Sequence, residues 1–419
     1  MRAKRVHGAT TRRSALVVAL GILLLSSSPP QMCPWGEAGG GDRGAALGGP
    51  RDRTRTEQPD SAGAADKVAY ASSDDGDIWL VRPGSAQPRR LTTSGRAWGP
   101  AWSPDGEGIL CVCNDSIQVI DAPTGRRTVL SPGDPWSDPA WSPNGRTVVF
   151  SRQYELRVAA GRLEGGPGGG IWAVDADGGN LRHLLRYWKP QTAPRWAKDV
   201  EFAEELGHFA FSPDGKLLGF LDEGEAAVLY VAELDEVGHP TAAQVIAQCE
   251  APRVTDYCWL DDSRHLLVAD GGSEGESGAG VYMLEAATGR TRVLLPHPYG
   301  VYAVAYAPSV GIAALNWRDG HPSPDVLGSG PKWTRDDLCL LEVSGRGVSG
   351  PMRRALWWEG TVGTLATFPG ESIYRVRLGY GAATAYVLAG ARLYAVSWRG
   401  DKTLLADLVD DFAVWSPPG

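Results

Sequence analysis

The sequence of 419 residues predicts an all-β fold, a single seven-bladed β-propeller of four-stranded blades. Three observations predict it: one turn motif recurs seven times, each copy leads into further β-prone segments, and the last copy ends the chain. The composition, with 54 Gly and 16 Trp but only four Met, is unusual for a helical or doubly wound protein. Helical periodicity is hard to find beyond the N-terminal segment, so the prediction is all-β.

The recurring turn is predicted to join the first, innermost strand of each blade to the second. Its Pro presets φ, its Asp or Asn hydrogen-bonds the backbone just ahead, and its Gly accepts a positive φ. An aromatic residue closes the strand before it. The three clearest copies are Trp102–Gly106, Trp141–Gly145 and Phe211–Gly215, and the four degraded copies begin at Trp259, Tyr306, Phe368 and Trp415.

The segments after each turn complete a blade. Apolar, β-prone residues follow directly, as in Thr147–Phe150, and predict a second strand. A third segment contains an aromatic residue, as in Gly170–Val174, and a fourth places Arg or Thr beside Leu, as in Arg182–Leu185. Four strands per repeat are the blade of a propeller.

The spacing of the turns predicts seven blades and a closed ring. Successive turn aromatics lie 39 to 70 residues apart. Blades need roughly 40 to 50 residues, so the longest intervals predict insertions rather than missing blades. The first unit, from Lys67, holds only strands two to four. Asp411–Trp415 is predicted to supply its inner strand, which pairs the two ends of the propeller and removes an open edge.

Together these motifs resemble the repeats of TolB-type, WD-like propellers. The resemblance rests on the turn, on third strands such as Ile78–Val81 and on fourth strands such as Arg90–Thr92, and it covers residues 67–419. It implies the propeller fold. It leaves the activity open, because such blades serve peptide binders, periplasmic scaffolds and the gating domains of some peptidases.

Residues 1–33 have the layout of a secretory signal peptide. A basic start, which includes the pair Arg12-Arg13, precedes the apolar run Ala15–Leu25 and a small polar exit. The run is too short to span a bilayer comfortably. We therefore predict an exported protein that is periplasmic, in the cell envelope or extracellular. A lipoprotein signal with a lipid anchor at Cys33, which would tether the chain to a membrane, is one alternative, and a twin-arginine signal is another.

The charge of the predicted propeller narrows the class of partner. Residues 34–66 are rich in Gly, Ala, Arg and Asp and predict a disordered linker, which leaves 67–419 as the propeller. That region carries 32 Lys or Arg and 43 Asp or Glu, a net charge of −11, which disfavours a nucleic-acid partner.

The cysteines offer few disulfide pairs. Cys111 and Cys113 face the same way on one strand, so they are poorly placed to bridge each other, and Cys249 with Cys258 is the nearer candidate for a bridge. Buried free thiols are the favoured interpretation.

Long connections are predicted to gather on one face of the ring. Second-to-third and fourth-to-first connections share that face, and the long segments assigned to it are Ser151–Gly169, Tyr187–Gly207, Gly271–Gly280, Arg318–Asp336 and Gly379–Gly390. Long loops cost closure entropy and often carry binding sites. The aromatic residues predicted in these connections, as contacts for a ligand, are Trp98, Trp136, Trp188, Trp196, Tyr299, Trp317 and Trp333. The alternative is that several of them pack between blades.

A second candidate site lies at the mouth of the central channel. Three residues before the turn aromatics, the sequence presents Gly99, Asp138, His208, Asp256, Ala303, Leu365 and Phe412. Asp138, His208 and Asp256 belong to adjacent blades, and two carboxylates with an imidazole could bind a divalent cation or perform acid-base work. The alternative is that these side chains only cap turns and hydrogen-bond locally.

These features predict a binding scaffold that recognises a protein, peptide or glycan through the face with the long connections. No zinc-protease, phosphate-loop or dinucleotide motif is present, and no cofactor or metal is predicted. The Gly271–Gly275 segment matches a serine nucleophile elbow in letters only. A lyase or hydrolase acting on sugars or other small molecules, with its site at the channel mouth, is the alternative.

Overall fold

Seven four-stranded antiparallel sheets follow one another along the chain in the computed structural model. The structure describes residues 66–85, 87–132, 139–152, 156–159, 162–165, 169–186, 206–222, 227–249, 253–271, 280–296, 301–307, 311–318, 335–343, 363–379, 384–397 and 399–416. Within these ranges it contains no helix, and therefore none of the length and apolarity that crossing a membrane requires. The predicted all-β, seven-bladed propeller is confirmed.

The first three blades use the strands nearest the N-terminus. Blade 1 contains β1 (Lys67–Ser72), β2 (Ile78–Val81) and β3 (Arg89–Arg90). Blade 2 contains β4 (Ala97–Trp102), β5 (Gly108–Cys113), β6 (Ser116–Asp121) and β7 (Arg127–Pro132). Blade 3 contains β8 (Ala140–Trp141), β9 (Thr147–Arg152), the separate hairpin β10 (Leu156–Ala159) and β11 (Arg162–Gly165), β12 (Gly170–Asp175) and β13 (Arg182–Arg186).

The remaining blades continue in chain order. Blade 4 contains β14 (Leu206–Phe211), β15 (Leu217–Asp222), β16 (Val228–Leu234) and β17 (Ala243–Gln248). Blade 5 contains β18 (Val254–Trp259), β19 (His265–Asp270), β20 (Gly280–Glu285) and β21 (Thr291–Pro296). Blade 6 contains β22 (Val304–Ala307), β23 (Ile312–Arg318), β24 (Arg335–Glu342) and β25 (Gly363–Pro369). Blade 7 contains β26 (Ile373–Leu378), β27 (Thr384–Ala389), β28 (Arg392–Ser397) and β29 (Lys402–Asp407), and the last strand is β30 (Val409–Trp415).

The last strand closes the ring as predicted. β30 pairs antiparallel with β1, so that Lys67 lies opposite Trp415 and blade 1 gains its inner strand. The Lys67 Nζ atom lies 4.5 Å from the ring centroid of Trp415 and donates a hydrogen bond of 2.9 Å to the Gly106 carbonyl. The Trp415 Nε1 atom donates to the Pro104 carbonyl at 3.1 Å. Blade 1 is thereby joined both to the end of the chain and to blade 2.

The turn motif forms as its residue types predict. In the first copy, Gly106 has a φ of 71° and its amide bonds the Ser103 carbonyl at 2.9 Å. The Ser103 hydroxyl donates to Asp105 at 2.5 Å and accepts from the Gly108 amide at 2.8 Å. A Cβ added at Gly106 would lie 2.2 Å from the Trp415 ring, so glycine is required here by both φ and space.

One predicted inner turn is wrong. Phe368 lies in β25, the outermost strand of blade 6, opposite Asp336. The inner strand of blade 7 is β26, which ends at Leu378 with neither an aromatic residue nor a Pro. The segment at Phe368 has the Pro and Gly of the motif but no Asp or Asn, and it only leads into the next blade. Leu365 therefore belongs to an outer strand and does not line the channel.

Antiparallel strand order places the connections at two ends of the ring. The loop end carries the second-to-third and fourth-to-first connections, and the turn end carries the others. Four of the five longest connections, 153–169, 187–205, 271–279 and 319–334, belong to the loop end, as predicted. The segment Gly379–Gly390 does not: residues 379–383 join the first two strands of blade 7 at the turn end, and β27 follows. The connection 343–362 also belongs to the turn end.

The five described cysteines form no disulfide with one another, as predicted. Cys111, Cys113, Cys249 and Cys339 are buried, and Cys258 is half-buried. The disulfide between Cys249 and Cys258, which was the nearer candidate in the sequence, does not form. Burial raises the pKa of the Cys111 thiol far above its ordinary value, which keeps it protonated and unreactive.

Candidate functional site

Five polar side chains converge on the centre of the ring. His208 comes from the inner strand of blade 4, Asp256 from blade 5, Arg375 and Arg377 from blade 7, and Asp411 from the inner strand of blade 1. Contacts among them join blade 7 to blades 4 and 5, which are not its neighbours, so these contacts cross the channel. We call these five residues the central cluster.

Arg375 is the residue that bridges the cluster. Its Nη1 donates to the Asp411 carboxylate in a short hydrogen bond, and its Nη2 lies 3.2 Å from Nε2 of His208. A guanidinium has only donors, so Nε2 of His208 must be the acceptor and the ring proton sits on Nδ1. The imidazole is therefore neutral.

The environment of His208 holds it in that neutral state. Burial, together with the positive charges of Arg375 and Arg377, lowers its pKa to about 3, and the Asp411 carboxylate opposes this shift. A histidine with so low a pKa is a weak general base and is not protonated near neutral pH. Its position suits a hydrogen-bond acceptor better than an acid-base catalyst.

The backbone at His208 is strained. Its φ is 50°, in the left-handed region that non-glycine residues rarely adopt. The pairing of β14 with β15 shifts register between Gly207 and Ala210, and a comparable shift in blade 2 spans Gly99, with a φ of 63°. His208 thus occupies a bulge position that glycine fills elsewhere. The Tyr257 hydroxyl donates a short hydrogen bond to the His208 carbonyl and supports this conformation.

Asp256 binds backbone amides of two blades and also supplies negative charge to the central cluster. Its carboxylate accepts hydrogen bonds from the Tyr257 amide at 2.9 Å and, in the next blade, from the Val304 amide at 3.1 Å. Burial raises the pKa of Asp256, while Arg377 and these hydrogen bonds oppose the rise. Arg377 Nη1 lies 3.8 Å from Asp256 Oδ2 and donates to the Val376 carbonyl at 2.8 Å.

The structure brings two members of the predicted channel site into one network. His208 and Asp256 both feel the charges of Arg375 and Arg377, whereas Asp138 lies outside the described residues. Among the described residues no group of three or more His, Cys, Asp or Glu could hold a metal ion. The sequence analysis does not identify the two arginines. The sequence signal for them is the alternation Arg375-Val376-Arg377. The motif at Phe368 predicts the wrong inner strand for blade 7, which hides this signal.

Most of the predicted aromatic contacts cannot be placed. Trp136, Trp188, Trp196, Tyr299 and Trp333 lie outside the described residues, so their role stays a prediction. The assignment of Trp98 to a connection is wrong: it lies in β4 opposite Val112 and packs, half-buried, against the core between blades 2 and 3. Trp317 lies in β23 opposite Asp337 rather than in a connection.

The pKa of His208 predicts a pH dependence of stability. Its folded pKa is far below the unfolded value of 6.5, so the unfolded chain binds a proton first as the pH falls. This group therefore makes the free energy of unfolding decrease from about pH 6.5 downward, by at most about 1.4 kcal/mol per pH unit.

We expect His208→Gln to flatten that decline in urea unfolding measured from pH 7 to pH 4. Identical slopes for the wild-type chain and His208→Gln would contradict the assignment of His208 as a neutral, half-buried imidazole.

Several solved structures share a limited likeness with this chain. No protein-family model matches the chain. TolB from Acinetobacter baumannii is similar with a TM-score of 0.41 and 17% identity, over 68% of this chain and 63% of that one, so the chain spans less than two thirds of that TolB. Hydrazine synthase from Kuenenia stuttgartiensis is similar with a TM-score of 0.46 and 13% identity, over 71% and 76% of the two chains. A chain of a nidogen/laminin complex has a TM-score of 0.44 and 12% identity, over 83% and 98%.

These likenesses describe the fold alone. The seven four-stranded blades and the recurring turn, which the sequence analysis found, decide the class of protein. This is a seven-bladed β-propeller whose repeats resemble those of TolB-type propellers. Activity and partners do not follow from that class, because propellers with the same blades serve many functions.

Proposed function

We propose that this chain is an exported or envelope-tethered binding scaffold whose loop end recognises a protein, peptide or glycan. The observation that carries the proposal is the concentration of four of the five longest connections at that end. Long connections cost closure entropy and are positioned by a rigid ring, which is the usual arrangement of a recognition surface. One of them contains the separate hairpin β10–β11.

The central cluster supports binding rather than chemistry as the main role. Arg375 is paired with Asp411, His208 is neutral, and the Asp256 carboxylate accepts two backbone amides. These groups satisfy one another and join blades 1, 4, 5, 6 and 7 across the channel. A set of side chains so engaged stabilises the ring and leaves recognition to the loop end.

The β10–β11 hairpin provides a clean deletion. β9 and β12 pair directly, with Arg152 opposite Gly170, so residues 153–169 can be replaced by a short Gly-Ser linker without breaking the ladder. We expect this variant to lose about tenfold or more of the signal of the labelled full chain on peptide and glycan arrays, the loss of about 1.4 kcal/mol or more of binding free energy.

The matched control shortens a connection of similar length at the other end. Residues 344–362 join β24 to β25, which pair as Leu340 opposite Gly363, and their replacement by the same linker should leave the array signal within about twofold, a difference of about 0.4 kcal/mol. Specific signals that survive the first deletion, or that disappear equally in both variants, would refute recognition by the loop end. So would the absence of specific signals for the intact chain.

Export and tethering are part of the same proposal. Residues 1–33 would direct export, and Cys33 would carry the lipid if the chain is tethered. Mass spectrometry of the chain recovered from fractionated source cells should find a mature N-terminus within or just after this segment. A chain that retains Met1 and stays in the cytoplasmic fraction would refute it.

A second candidate function is a lyase or hydrolase acting on a sugar or other small molecule at the channel mouth. The observation in its favour is the strained φ of 50° at His208, because strain of this kind clusters at active sites. Turnover that is lost in both His208→Ala and Asp256→Ala, with the array signals unchanged, would favour this function over the scaffold.

A further inference from the structure

Two cavities lie at equivalent places between neighbouring blades at the turn end. One, of about 360 Å³, lies between blades 1 and 2, and the other, of about 410 Å³, between blades 2 and 3. Strand register shows their equivalence: Leu80 lines the first from the third strand of blade 1, opposite Ala69, and Val119 lines the second from the third strand of blade 2, opposite Leu110.

The linings of the two cavities carry opposite net charge. The first cavity is lined by Lys67, Arg82 and Arg89 and by no carboxylate among the described residues. At the matching positions of the blade 2 repeat stand Gly108, Asp121 and Thr128, and that cavity is also lined by Asp105 and Glu107, with Arg126 its one described cation. The first cavity is therefore a concentrated positive site in a propeller whose net charge is −11.

Two of the three cations of the first cavity, Arg89 and Lys67, are held in place by uncharged partners. Arg89 donates from Nη1 to the Pro123 carbonyl at 3.0 Å and, in a short bond, from Nη2 to the Ala122 carbonyl. Lys67 is fixed against Trp415 by the ring closure. Within the described ranges, no carboxylate lies within the 4.0 Å of an ion pair from Lys67, Arg82 or Arg89, although the field of Lys67 contributes to a lowered pKa of Asp105.

These contacts leave donors for a ligand. A guanidinium has five N–H donors in a planar fork, which matches the oxygens of a phosphate or sulfate. Arg82 is exposed at the rim, and Ser85 and Gln87 add neutral polar groups to the same cavity. A volume of about 360 Å³ lies within the range of small-molecule sites.

We propose that the cavity between blades 1 and 2 binds a small organic oxyanion, a phosphate or sulfate ester, with Arg82, Arg89 and Lys67 as its counter-charges. The site lies at the turn end, so it is separate from the loop end and does not depend on the proposed scaffold function.

Titration calorimetry on the full chain at low ionic strength tests the proposal with inorganic phosphate, glucose 6-phosphate, glucose sulfate and glucose as probes. Saturable binding of the anionic probes, and none of glucose, is expected. Arg82→Asp, which places in blade 1 the acid that blade 2 carries at Asp121, should weaken the binding of glucose 6-phosphate about tenfold or more, because it removes a charge-assisted contact and adds repulsion. The two esters distinguish the phosphate from the sulfate source.

Arg126→Gln is the matched control. It removes an exposed arginine that lines the neighbouring cavity instead, and it should change the affinity less than about twofold, as expected for a solvent-screened charge outside the site. Arg82→Gln should fall between the two, and circular dichroism should show all three variants folded. The proposal is overturned if neither ester binds, if glucose binds as well as its esters, or if Arg126→Gln weakens binding as much as Arg82→Asp.

Discussion

A chain that ends at Leu408 should fail to form a stable propeller. It would lack β30, which supplies the inner strand of blade 1 and pairs with β1 from Lys67 to Ser72. Phe412 is 1% exposed and Val409 3% exposed, and burial of such side chains contributes about 1.5 to 3 kcal/mol each. Each ladder hydrogen bond adds about 0.5 to 1.5 kcal/mol. The sum approaches the entire stability of about 5 to 15 kcal/mol of an ordinary domain.

The truncation also exposes an unpaired strand edge that favours aggregation. Without β30, the edge of β1 presents unpaired amide and carbonyl groups next to buried residues such as Tyr70, which is 6% exposed. Such an edge favours pairing with a second molecule. We therefore expect loss of the cooperative thermal transition in calorimetry, together with aggregation in light scattering.

The matched control ends at Ser416. It keeps all of β30, including Trp415 over Lys67 and its hydrogen bond to Pro104, and it should unfold within a few degrees of the full chain. A chain ending at Leu408 that unfolds cooperatively at the temperature of the full chain would show that closure by β30 is not what stabilises the ring.

The sequence predicts this closure well because local turn chemistry encodes it. Glycine at Gly106 and the Ser103–Asp105 pair specify a tight turn wherever they occur, and the count of such turns gives the number of blades. The prediction fails where other residues make the same connection. In blade 7 the connection between the first two strands, residues 379–383, has neither Pro nor Asp or Asn, and the inner strand ends at Leu378 without an aromatic residue, so the motif points to Phe368 instead.

The central cluster could be predicted only in part, for a related reason. His208 and Asp256 were found by counting back from correctly identified inner turns, which fixes the register of blades 4 and 5. Arg375 could not be found that way, because its strand has no turn motif to count from. Its partners also come from blades far apart in the sequence, and only the closed ring brings Arg375 within reach of both Asp411 and His208.

Removing either partner of the Arg375–Asp411 pair should destabilise the propeller strongly. Their side chains are 21% and 16% exposed, so each mutation leaves a poorly solvated charge without its counter-charge. Arg375→Leu and Asp411→Asn should each cost about 2 to 4 kcal/mol of unfolding free energy, somewhat less than a fully buried pair would. The double variant should cost clearly less than the sum, with a coupling of about 1 to 3 kcal/mol, measured by a double-mutant cycle in urea.

A second measurement separates this pair from simple packing. Because Arg375 donates to Nε2 of His208 and its charge lowers the pKa of His208, Arg375→Leu should raise that pKa from about 3 toward its ordinary value, as followed by NMR of the imidazole. Arg392→Leu, which breaks the exposed ion pair with Glu371 at the outer part of blade 7, should leave the His208 pKa unchanged and change the free energy of unfolding only slightly. Additive effects in the cycle, or a His208 pKa indifferent to Arg375, would mean that Arg375 does not join the blades across the channel. The double-mutant cycle and the His208 pKa together therefore test whether the central cluster stabilises the ring across the channel, in addition to the pairing of β30 with β1.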